Sequence, residues 1–578
     1  MEKNNGTSSH RPRTFSTEKA HQIFLFLLAT FLPASFAAAQ PAPVDSRKYL
    51  VCLKDKANTP YSLNNPSQFL SHRSVQRRLK QGISLTERDL PVNSAYADAI
   101  RQAGATVRYT SRWLNAALVE ATPATLETIL RLPFVKGLER KEALAAVQLP
   151  AGGQISGGQS VAGPTKHGQL ISQSEPPLRY GPSIDQAAMI GADQMHQQGY
   201  RGEGMLVAVL DAGFRNVDQD SHFRHLFTNN QLVSTFDFVR CEPGVYEDSD
   251  HGAQVLGTMA GFEESKLVGT AHQARYILLR TEDASSESRV EEVNWLMAAE
   301  YADSAGVDVI NSSLGYNTFD DPSQNYVYAD LNGDKALITR AADWAAAVGI
   351  LVVNSAGNEG ANRWQYITAP ADGDSVLAVA SVNRNQVRAP SSSKGPSADG
   401  RVKPELAALG SGAVVGVSAA GNVVTSGGTS FSAPVLAGMA TGFWQAHPQL
   451  TNMQVIDFLI RSASQYARPD SLLGYGIPHF VRASLLVGQE EKREENFFVY
   501  PNPLAEGVDP QVWLGNLPRT QRYTATLSDA SGNQLWSAAL RDELTPVPFR
   551  ALASAPGIYF IRLTSEGGAS FSAKLLKR

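Results

Sequence analysis

Apolar runs that alternate with helical segments constrain the fold of this chain more than any other feature. Between about Tyr180 and Val487, five runs have the length of strands and lack polar alternation: MLVAVLD, RYILLR, VDVINSSLG, ILVVNSAGN and SVLAVASV. Segments of helical pattern such as ALITRAADWAAAVG separate them. This order predicts an α/β region, residues 180–487, with a parallel sheet covered by helices on both faces. Functional groups in such sheets gather at the carboxyl ends of the strands.

The length of 578 residues exceeds what one hydrophobic core usually serves, so we expect several domains. A formal net charge of −4 gives no electrostatic footprint for nucleic acid. The only two cysteines, Cys52 and Cys241, fall in different predicted domains. We therefore expect no structural disulfide and no nucleic-acid partner.

Residues 1–39 have the pattern of a secretory signal peptide. Basic residues precede the apolar run IFLFLLATFLPASF, which is followed by three alanines and predicts cleavage before Gln40. The alternative is a membrane anchor, for which the apolar run is short. The pattern predicts a secreted or cell-surface protein.

Two smaller regions flank the α/β region. Residues 40–147 have a small α+β pattern that begins with the strand KYLVCLK, and residues 148–179 are rich in Gly, Ser, Gln and Pro, as expected of a flexible linker. After the charged joint GQEEKREEN, residues 496–578 show short strands with turn signals. This last region is predicted to be a small β-sandwich.

The stretch SGGTSFSAPVLAGMATGFW places two serines, Ser430 and Ser432, at the predicted start of a buried helix. Pro434 is expected in the first turn of that helix, where its missing N–H costs nothing. A serine at this place can cap the helix or act as a nucleophile, and the stretch alone leaves both roles open.

Three more polar residues follow strands or open a helix of small residues. Asp211 ends MLVAVLD, Asn358 follows ILVVNSAG, and His251 opens HGAQVLGTMAG. A nucleophilic serine needs a base, the base needs an orienting carboxylate, and the oxyanion needs a donor such as a side-chain amide. The order Asp, His, Ser is the order of the subtilisin triad and differs from those of chymotrypsin and the α/β-hydrolases.

The motifs VAVLDAG, HGAQVLGTMAG, NSSLG, SAGNEG and GTSFSAP stand in this order along the chain. With them, residues 180–487 resemble the subtilisin-like serine proteases, the subtilases. The resemblance implies a serine endopeptidase whose triad is Asp211, His251 and Ser430, with Asn358 as the oxyanion donor.

The same resemblance implies that Ser313, Leu314 and Gly315 form the strand that pairs with the backbone of a protein or peptide substrate. No cofactor is required for this chemistry. The alternative function is a catalytically silent surface adhesion or binding protein, and the complete triad favours the enzyme.

The flanking regions extend the resemblance. Residues 40–147 resemble subtilase propeptides in pattern and position, which implies a zymogen inhibited by its own propeptide; an independent binding domain is the alternative. Residues 496–578, with YPNP and GIYFIRL, resemble the C-terminal sorting domain of the type IX secretion system of Bacteroidetes. That resemblance implies an outer-membrane secretion machinery as a partner, and a generic adhesion or carbohydrate-binding module is the alternative.

No metal site is predicted. ADLNGDK begins like a calcium loop at Asp330, Asn332 and Asp334 but departs from the EF-hand pattern, so we expect a turn and leave calcium open as a ligand. His222 and His225 lack a third ligand motif and are expected to form a surface pair. The charges of SRVEEVNW predict a solvated helix face.

Overall fold

The computed structural model describes residues 45–146, 178–494, 497–500, 510–514, 517, 521–540, 544–547 and 556–577. The predicted signal peptide and nearly all of the predicted linker lie outside the described residues. The chain forms two compact units, Met1–Val481 and Arg482–Arg578. The last helix of the α/β region, Phe480–Glu494, runs through the boundary between them.

The N-terminal region is the small α+β structure that its pattern predicts. Its sheet has the strand order β2-β3-β1-β4, with β5 also paired to β1, and every pair in it is antiparallel. The elements in chain order are β1 (Arg47–Leu53), α1 (His72–Lys80), α2 (Ser94–Gln102), β2 (Thr106–Ser111), β3 (Ala116–Ala121), α3 (Pro123–Leu130), β4 (Val135–Leu138) and β5 (Ala145–Ala146).

A parallel sheet of seven strands forms the centre of the next region, which confirms the predicted α/β class. Most of these strands carry apolar runs because both faces of the sheet are covered, whereas the edge strand β7 (LVSTFD) is only partly buried. They are β6 (Leu206–Asp211), β7 (Leu232–Asp237), β10 (Arg275–Arg280), β11 (Val309–Ser312), β12 (Leu351–Ser355), β13 (Val376–Val382) and β14 (Leu406–Leu409). Short antiparallel pairs lie beside it: β8 (Phe262–Glu263) with β9 (Leu267–Val268), and β15 (Ser411–Val417) with β16 (Val423–Gly427).

The helices of this region connect and cover the strands. They are α4 (Ile184–Met189), α5 (Ala192–Gln197), α6 (Arg224–Thr228), α7 (His251–Ala260), α8 (Val290–Ala305), α9 (Leu337–Ala347), α10 (Thr429–Ala446), α11 (Asn452–Arg461) and α12 (Phe480–Glu494).

The strand order of the large sheet is β14-β13-β12-β11-β6-β10-β7, and all neighbours are parallel. From β6 the chain builds one side of the sheet through β7 and β10 and then the other side through β11 to β14. The order therefore reverses around β6, and a crevice opens at the carboxyl ends of the strands at such a reversal. Asp211, the last residue of β6, lies at that crevice.

The charged segment SRVEEVNW is not a solvated helix face, so that prediction is wrong. Glu291 and Glu292 open α8 and are each 1% exposed. Glu292 pairs with Arg289 at 3.0 Å and accepts a hydrogen bond from the Tyr326 hydroxyl at 2.7 Å. Glu291 accepts hydrogen bonds from the backbone N–H groups of Asp283 at 3.2 Å and Ser288 at 3.3 Å, so both buried carboxyl groups have partners inside the protein.

The C-terminal unit contains two antiparallel sheets. One has the order β17-β18-β21, with β17 (Phe498–Tyr500), β18 (Gln511–Trp513) and β21 (Leu544–Pro546). The other has the order β20-β19-β22-β23, with β19 (Tyr523–Asp529), β20 (Gln534–Ala539), β22 (Gly557–Ser565) and β23 (Ser570–Lys577). Val512 of the first sheet and Leu527 and Ile561 of the second lie in one apolar core, as in a β-sandwich.

Both cysteines, Cys52 and Cys241, are free, as predicted. Among the described helices, none combines the length and the apolar composition that a membrane crossing requires.

Candidate active site

Asp211 and His251 form a close hydrogen-bonded pair at the crevice. The buried carboxylate of Asp211 accepts hydrogen bonds at Oδ1 from Nδ1 of His251 at 2.7 Å and from the backbone N–H of Ala212 at 2.8 Å. His251 is the first residue of α7, and Gly252 lets this helix approach β6. A Cβ on Gly252 would lie 2.3 Å from the carbonyl oxygen of Gly213 and 2.9 Å from the Cβ of Asp211.

The charge of Asp211 dominates the electrostatics of His251. Attraction to this carboxylate, opposed by burial and assisted by Glu282 and Asp250, raises the pKa of His251 to about 9. The imidazole keeps 34% of its side-chain surface exposed toward the crevice. The pair therefore provides an oriented base whose protonated form is stabilised, as general-base catalysis by histidine requires.

Ser430 is the second residue of α10, at the end of this helix that faces the pair. The ring of Phe431, the next residue, lies 5.8 Å from the ring of His251 between centroids. Within the described residues, the hydroxyl of Ser430 makes no hydrogen bond to His251 and instead donates to the carbonyl of Ser313 at 3.5 Å. The start of α10 thus contacts His251 through the ring of Phe431, and no hydrogen bond joins Ser430 to the imidazole.

Ser432 has a different environment from Ser430. It is fully buried, and its hydroxyl donates to the carbonyl of Thr429 at 3.0 Å, one turn back in the same helix. The sequence allows either serine to be the nucleophile. In the structure, the hydroxyl of Ser430 makes only the long hydrogen bond of 3.5 Å to the carbonyl of Ser313, so it is the freer of the two.

Pro434 is the sixth residue of α10 and not in its first turn, so that detail of the prediction is wrong. A proline there cannot donate to the carbonyl four residues earlier, which belongs to Ser430. The hydroxyl of Ser313 donates to that carbonyl at 2.8 Å and replaces the missing bond. Pro434 and Ser313 together connect the start of α10 to the end of β11.

Asn358 follows β12 and lies beside the start of α10. Its Oδ1 accepts hydrogen bonds from the N–H of Thr429 at 2.9 Å and the hydroxyl of Thr429 at 3.1 Å. Its Nδ2 makes no hydrogen bond to any described residue, and the residue is exposed. An amide fixed through its oxygen next to Ser430 has its N–H groups free to donate.

Ser313, Leu314 and Gly315 follow β11 directly. The carbonyl of Leu314 accepts a hydrogen bond from Nδ2 of Asn354 at 3.0 Å, which fixes the backbone of this segment. Gly315 is exposed, and a Cβ there would lie 2.1 Å from Oγ1 of Thr368. A side chain at this position would require Thr368 to move, so glycine suits the close approach.

Glu282 is a further residue at the crevice, which the sequence analysis did not single out. It follows β10 and accepts a hydrogen bond from the Tyr316 hydroxyl at 2.7 Å. Burial, together with the charges of Glu287 and Asp211, raises the pKa of Glu282 to about 8. The sequence does contain a signal for Glu282. This residue lies just after a buried strand, in the same way that Asp211 ends one, and the carboxyl ends of such strands are where functional residues are expected.

The structure confirms one of the two predictions for possible metal ligands and contradicts the other. Asn332 accepts hydrogen bonds from the backbone N–H groups of Asp334 and Lys335, so the predicted turn is confirmed. His222 is 3% exposed, which makes the predicted surface pair wrong. Its ring packs against Phe223, with centroids 4.2 Å apart. Among the described residues, no three His, Cys, Asp or Glu side chains are grouped so that they could hold a metal ion.

Two family models match the chain. Residues 202–476 match the subtilase family, and residues 48–154 match the peptidase S8 propeptide domain of Bacteroidota. The first match contains all the predicted site residues, and the second covers most of the N-terminal region.

Relatives found by sequence agree with these matches. The chain is 32% identical to Subtilisin E of Bacillus subtilis over 282 residues, which are 48% of this chain and 65% of that protein, a little under two thirds. It is 31% identical to a subtilisin of Bacillus pumilus over 295 residues, 50% of this chain and 94% of that protein. A solved structure, the MycP3 protease from the type VII (ESX-3) secretion system, aligns with a TM-score of 0.42 at 23% identity and covers 53% of this chain and 89% of its own.

Proposed function

Because the chain belongs to the subtilase family, we propose that it is a secreted serine endopeptidase that is made as a zymogen. The observation that carries this proposal is the hydrogen bond of 2.7 Å between His251 and the buried carboxylate of Asp211, with Ser430 at the adjoining helix start. A base, its orienting carboxylate and a hydroxyl at one crevice are the groups that catalysis of acyl transfer by a serine requires.

In the proposed reaction, Oγ of Ser430 attacks the carbonyl carbon of the scissile peptide bond. His251 takes the proton from Ser430 through Nε2, while Asp211 holds the ring through Nδ1 and stabilises its positive charge. The protonated His251 then gives this proton to the leaving amine, and an acyl-enzyme remains on Ser430. Water activated by the same histidine hydrolyses this ester and restores the hydroxyl of Ser430.

The negative oxygen of the tetrahedral intermediate needs donors. In this proposal, Nδ2 of Asn358 and the backbone N–H of Ser430, near the positive end of α10, supply them. Support comes from the carboxamide oxygen of Asn358, which two bonds from Thr429 hold in place. The extended substrate backbone pairs with the backbone of Ser313–Gly315 as an added strand.

The flanking regions fit a secreted zymogen. The propeptide match to residues 48–154 supports a role of residues 40–147 as the enzyme's own inhibitor, released by cleavage in the linker. The signal-peptide pattern of residues 1–39 supports export. Residues 496–578 are proposed to be the sorting domain that the outer-membrane secretion machinery recognises.

A fluorophosphonate probe tests the catalytic assignment because it labels only an activated serine. We expect the processed wild-type protein to be labelled and the Ser430→Ala variant not to be labelled. Ser432→Ala is the matched control, since Ser432 lies two residues away in the same helix, and it should still react. Absence of labelling in the wild-type protein would favour the alternative, a catalytically silent adhesion protein. Loss of labelling in Ser432→Ala alone would identify Ser432, and not Ser430, as the nucleophile.

A further inference from the structure

Arg280 is a buried cation at the edge of the sheet that carries the candidate active site. It is the last residue of β10, and in the register of the parallel sheet it lies between Asp211 of β6 and Asp237 of β7. Its side chain is only 3% exposed, so its charge and its N–H groups must be satisfied by the protein. Arg280 takes no part in the proposed proton transfers, and its burial therefore needs another explanation.

The guanidinium of Arg280 contacts three parts of the chain at once. Its Nη1 donates to Oδ2 of Asp237 at 2.7 Å, and its Nε donates to the carbonyl of Ala212 at 3.1 Å. Nη1 also lies 3.3 Å from Oδ2 of Asp248. The planar fork of a guanidinium holds such partners in fixed directions, which the ammonium group of a lysine cannot do.

Ala212 connects this fork to the carboxylate of Asp211. The N–H of Ala212 donates to Oδ1 of Asp211 at 2.8 Å, and the same oxygen accepts the hydrogen bond from His251. The carbonyl of Ala212 is the group that Arg280 binds. A shift of Ala212 would therefore change the direction of an N–H that helps to orient the Asp211 carboxylate.

Asp248 connects the fork to the segment that leads to His251, three residues later. Arg240 also binds this carboxylate, with its two Nη atoms at 2.8 and 3.0 Å from the two oxygens. Asp237 fixes Arg240 in turn, because its Oδ1 accepts a hydrogen bond from the backbone N–H of Arg240 at 2.9 Å. Two arginines that Asp237 holds thus fix the position of Asp248.

The two connected segments, residues 211–215 and 248–251, also contact each other directly. The N–H of Arg215 donates to the carbonyl of Ser249 at 3.1 Å. The hydroxyl of Ser249 accepts a hydrogen bond from the N–H of His251 at 3.1 Å, at the start of α7. The geometry of the catalytic pair therefore depends on how these segments are held, and the buried guanidinium contacts both.

We propose that Arg280 is a positioning residue for the catalytic pair of Asp211 and His251. Its guanidinium connects the strand end that carries the carboxylate to the segment that carries the histidine, so that the hydrogen bond between them keeps its direction during the proton transfers. The effect on catalysis rests on the proposed function, whereas the connection itself rests on the hydrogen bonds of the guanidinium. A displacement of about 1 Å in such a site can lower the rate about a hundred-fold.

The variant Arg280→Met tests this proposal in the processed enzyme, because methionine is similarly long but has neither charge nor donors. We expect kcat, counted per serine that the fluorophosphonate labels, to fall about a hundred-fold. KM should change less than about three-fold, since the contacts of Arg280 are with the enzyme itself. Counting labelled serines removes any unfolded protein from the comparison. A loss confined to KM would overturn the proposal.

Lys403→Met is the matched control. Lys403 is a cation with 1% exposure that donates to the carbonyl of Gly373 and pairs with Glu405. It precedes β14 and so lies at the amino-terminal edge of the sheet, opposite to the crevice. Its removal should cost stability but leave kcat per labelled serine close to the wild-type value. The same kcat in Arg280→Met and Lys403→Met would overturn the proposal.

Arg280→Lys separates the charge from the fork. Lysine can keep the pair with Asp237 but, as a single point charge, cannot also hold Ala212 and Asp248 in the same directions. We expect Arg280→Lys to recover most of the stability that Arg280→Met loses, while kcat stays well below the wild-type value. Full recovery of kcat would show that the charge alone is enough and would overturn the proposal.

A readout without catalysis makes the test independent of the proposed function. In the full chain with Ser430→Ala, the proton between Nδ1 of His251 and Asp211 should give a downfield NMR resonance, because a short charge-assisted hydrogen bond deshields its proton. We expect Arg280→Met to shift or broaden this resonance and Lys403→Met to leave it in place. An unchanged resonance in Arg280→Met would overturn the proposal. If the fluorophosphonate does not label the wild-type protein, the proposed function fails, and the NMR comparison still decides whether Arg280 holds the pair.

Discussion

The imidazole of His251 responds to more than one carboxylate. Asp211 has the largest effect on its pKa, and Glu282, held by the hydroxyl of Tyr316, raises it further. The base must be neutral to accept the proton of Ser430, so a raised pKa shifts activity toward alkaline pH.

We therefore expect kcat/KM of the processed enzyme to rise with pH through a midpoint near 9, well above the usual histidine value near 6.5. At that pH Glu282, whose pKa is raised to about 8, is mostly ionised and still stabilises the protonated base. Glu282→Gln keeps an acceptor for Tyr316 but removes the charge, so the midpoint should move to lower pH.

Glu264→Gln is the control for this profile. Glu264 forms an exposed pair with Arg179 and has no part in the titration of His251. Its profile should coincide with that of the wild-type enzyme. A wild-type midpoint near 6.5, or an identical midpoint in Glu282→Gln, would contradict the electrostatic account.

At the scale of elements, local patterns predicted the strands and their ends. Unbroken apolar runs indicated the parallel sheet, and because parallel strands end at one edge, the sequence alone predicted that Asp211, which ends β6, and Asn358, which follows β12, belong to that edge. Glu282 follows β10 at that same edge. The rule that functional groups lie at the carboxyl ends of parallel strands therefore also predicts Glu282, which no family motif contains.

Contacts between distant residues account for the predictions that were wrong. The charges at the start of α8 are buried because Glu292 meets the hydroxyl of Tyr326, a residue 34 positions away that helical spacing cannot reveal. In the same way, Pro434 is accommodated inside α10 because Ser313 supplies a donor from β11. Sequence periodicity carries no information on partners of this kind.

Lys403 shows how one buried cation fixes the connection before β13. Its Nζ donates to the carbonyls of Gly373 at 2.7 Å and Val376 at 2.9 Å and pairs with Glu405 at 2.5 Å. Three acceptors match the three N–H groups of an ammonium group. This side chain is only 1% exposed, so its removal would leave the two carbonyls and Oε1 of Glu405 without this donor in the interior, while Oε2 of Glu405 keeps the N–H of Ala378.

We expect Lys403→Met to lower the free energy of unfolding by about 3 kcal/mol, as for a buried pair that loses one partner. Urea unfolding of the Ser430→Ala chain measures this without self-digestion. Lys266→Met is the matched control, because Lys266 forms a half-exposed pair with Glu263 at 3.9 Å and should cost less than about 1 kcal/mol. Similar losses in the two variants would show that the carbonyl contacts of Lys403 contribute little.

At the scale of the whole molecule, the N-terminal and α/β regions lie in one compact unit, and the C-terminal sheets lie in another. The first two share an apolar core, in which Trp113 and Leu144 lie in the same cluster as Leu296 of α8. The C-terminal unit has a separate core around Leu527 and Ile561. Such a division suits a zymogen whose inhibitor folds with the enzyme and whose last region acts separately.

Deletion of residues 496–578 should therefore leave catalysis intact. The deletion begins after α12 and removes the sheets together with their own core, so the candidate active site loses no residue that the structure places in it. We expect the processed, truncated protein to react with the fluorophosphonate as fast as the full chain. When the chain is expressed in a bacterium that has a type IX secretion system, the truncated protein should accumulate in the periplasm, because the proposed sorting signal is missing. Normal release to the medium with loss of binding to a polysaccharide or to cells would instead identify the last region as an adhesion module.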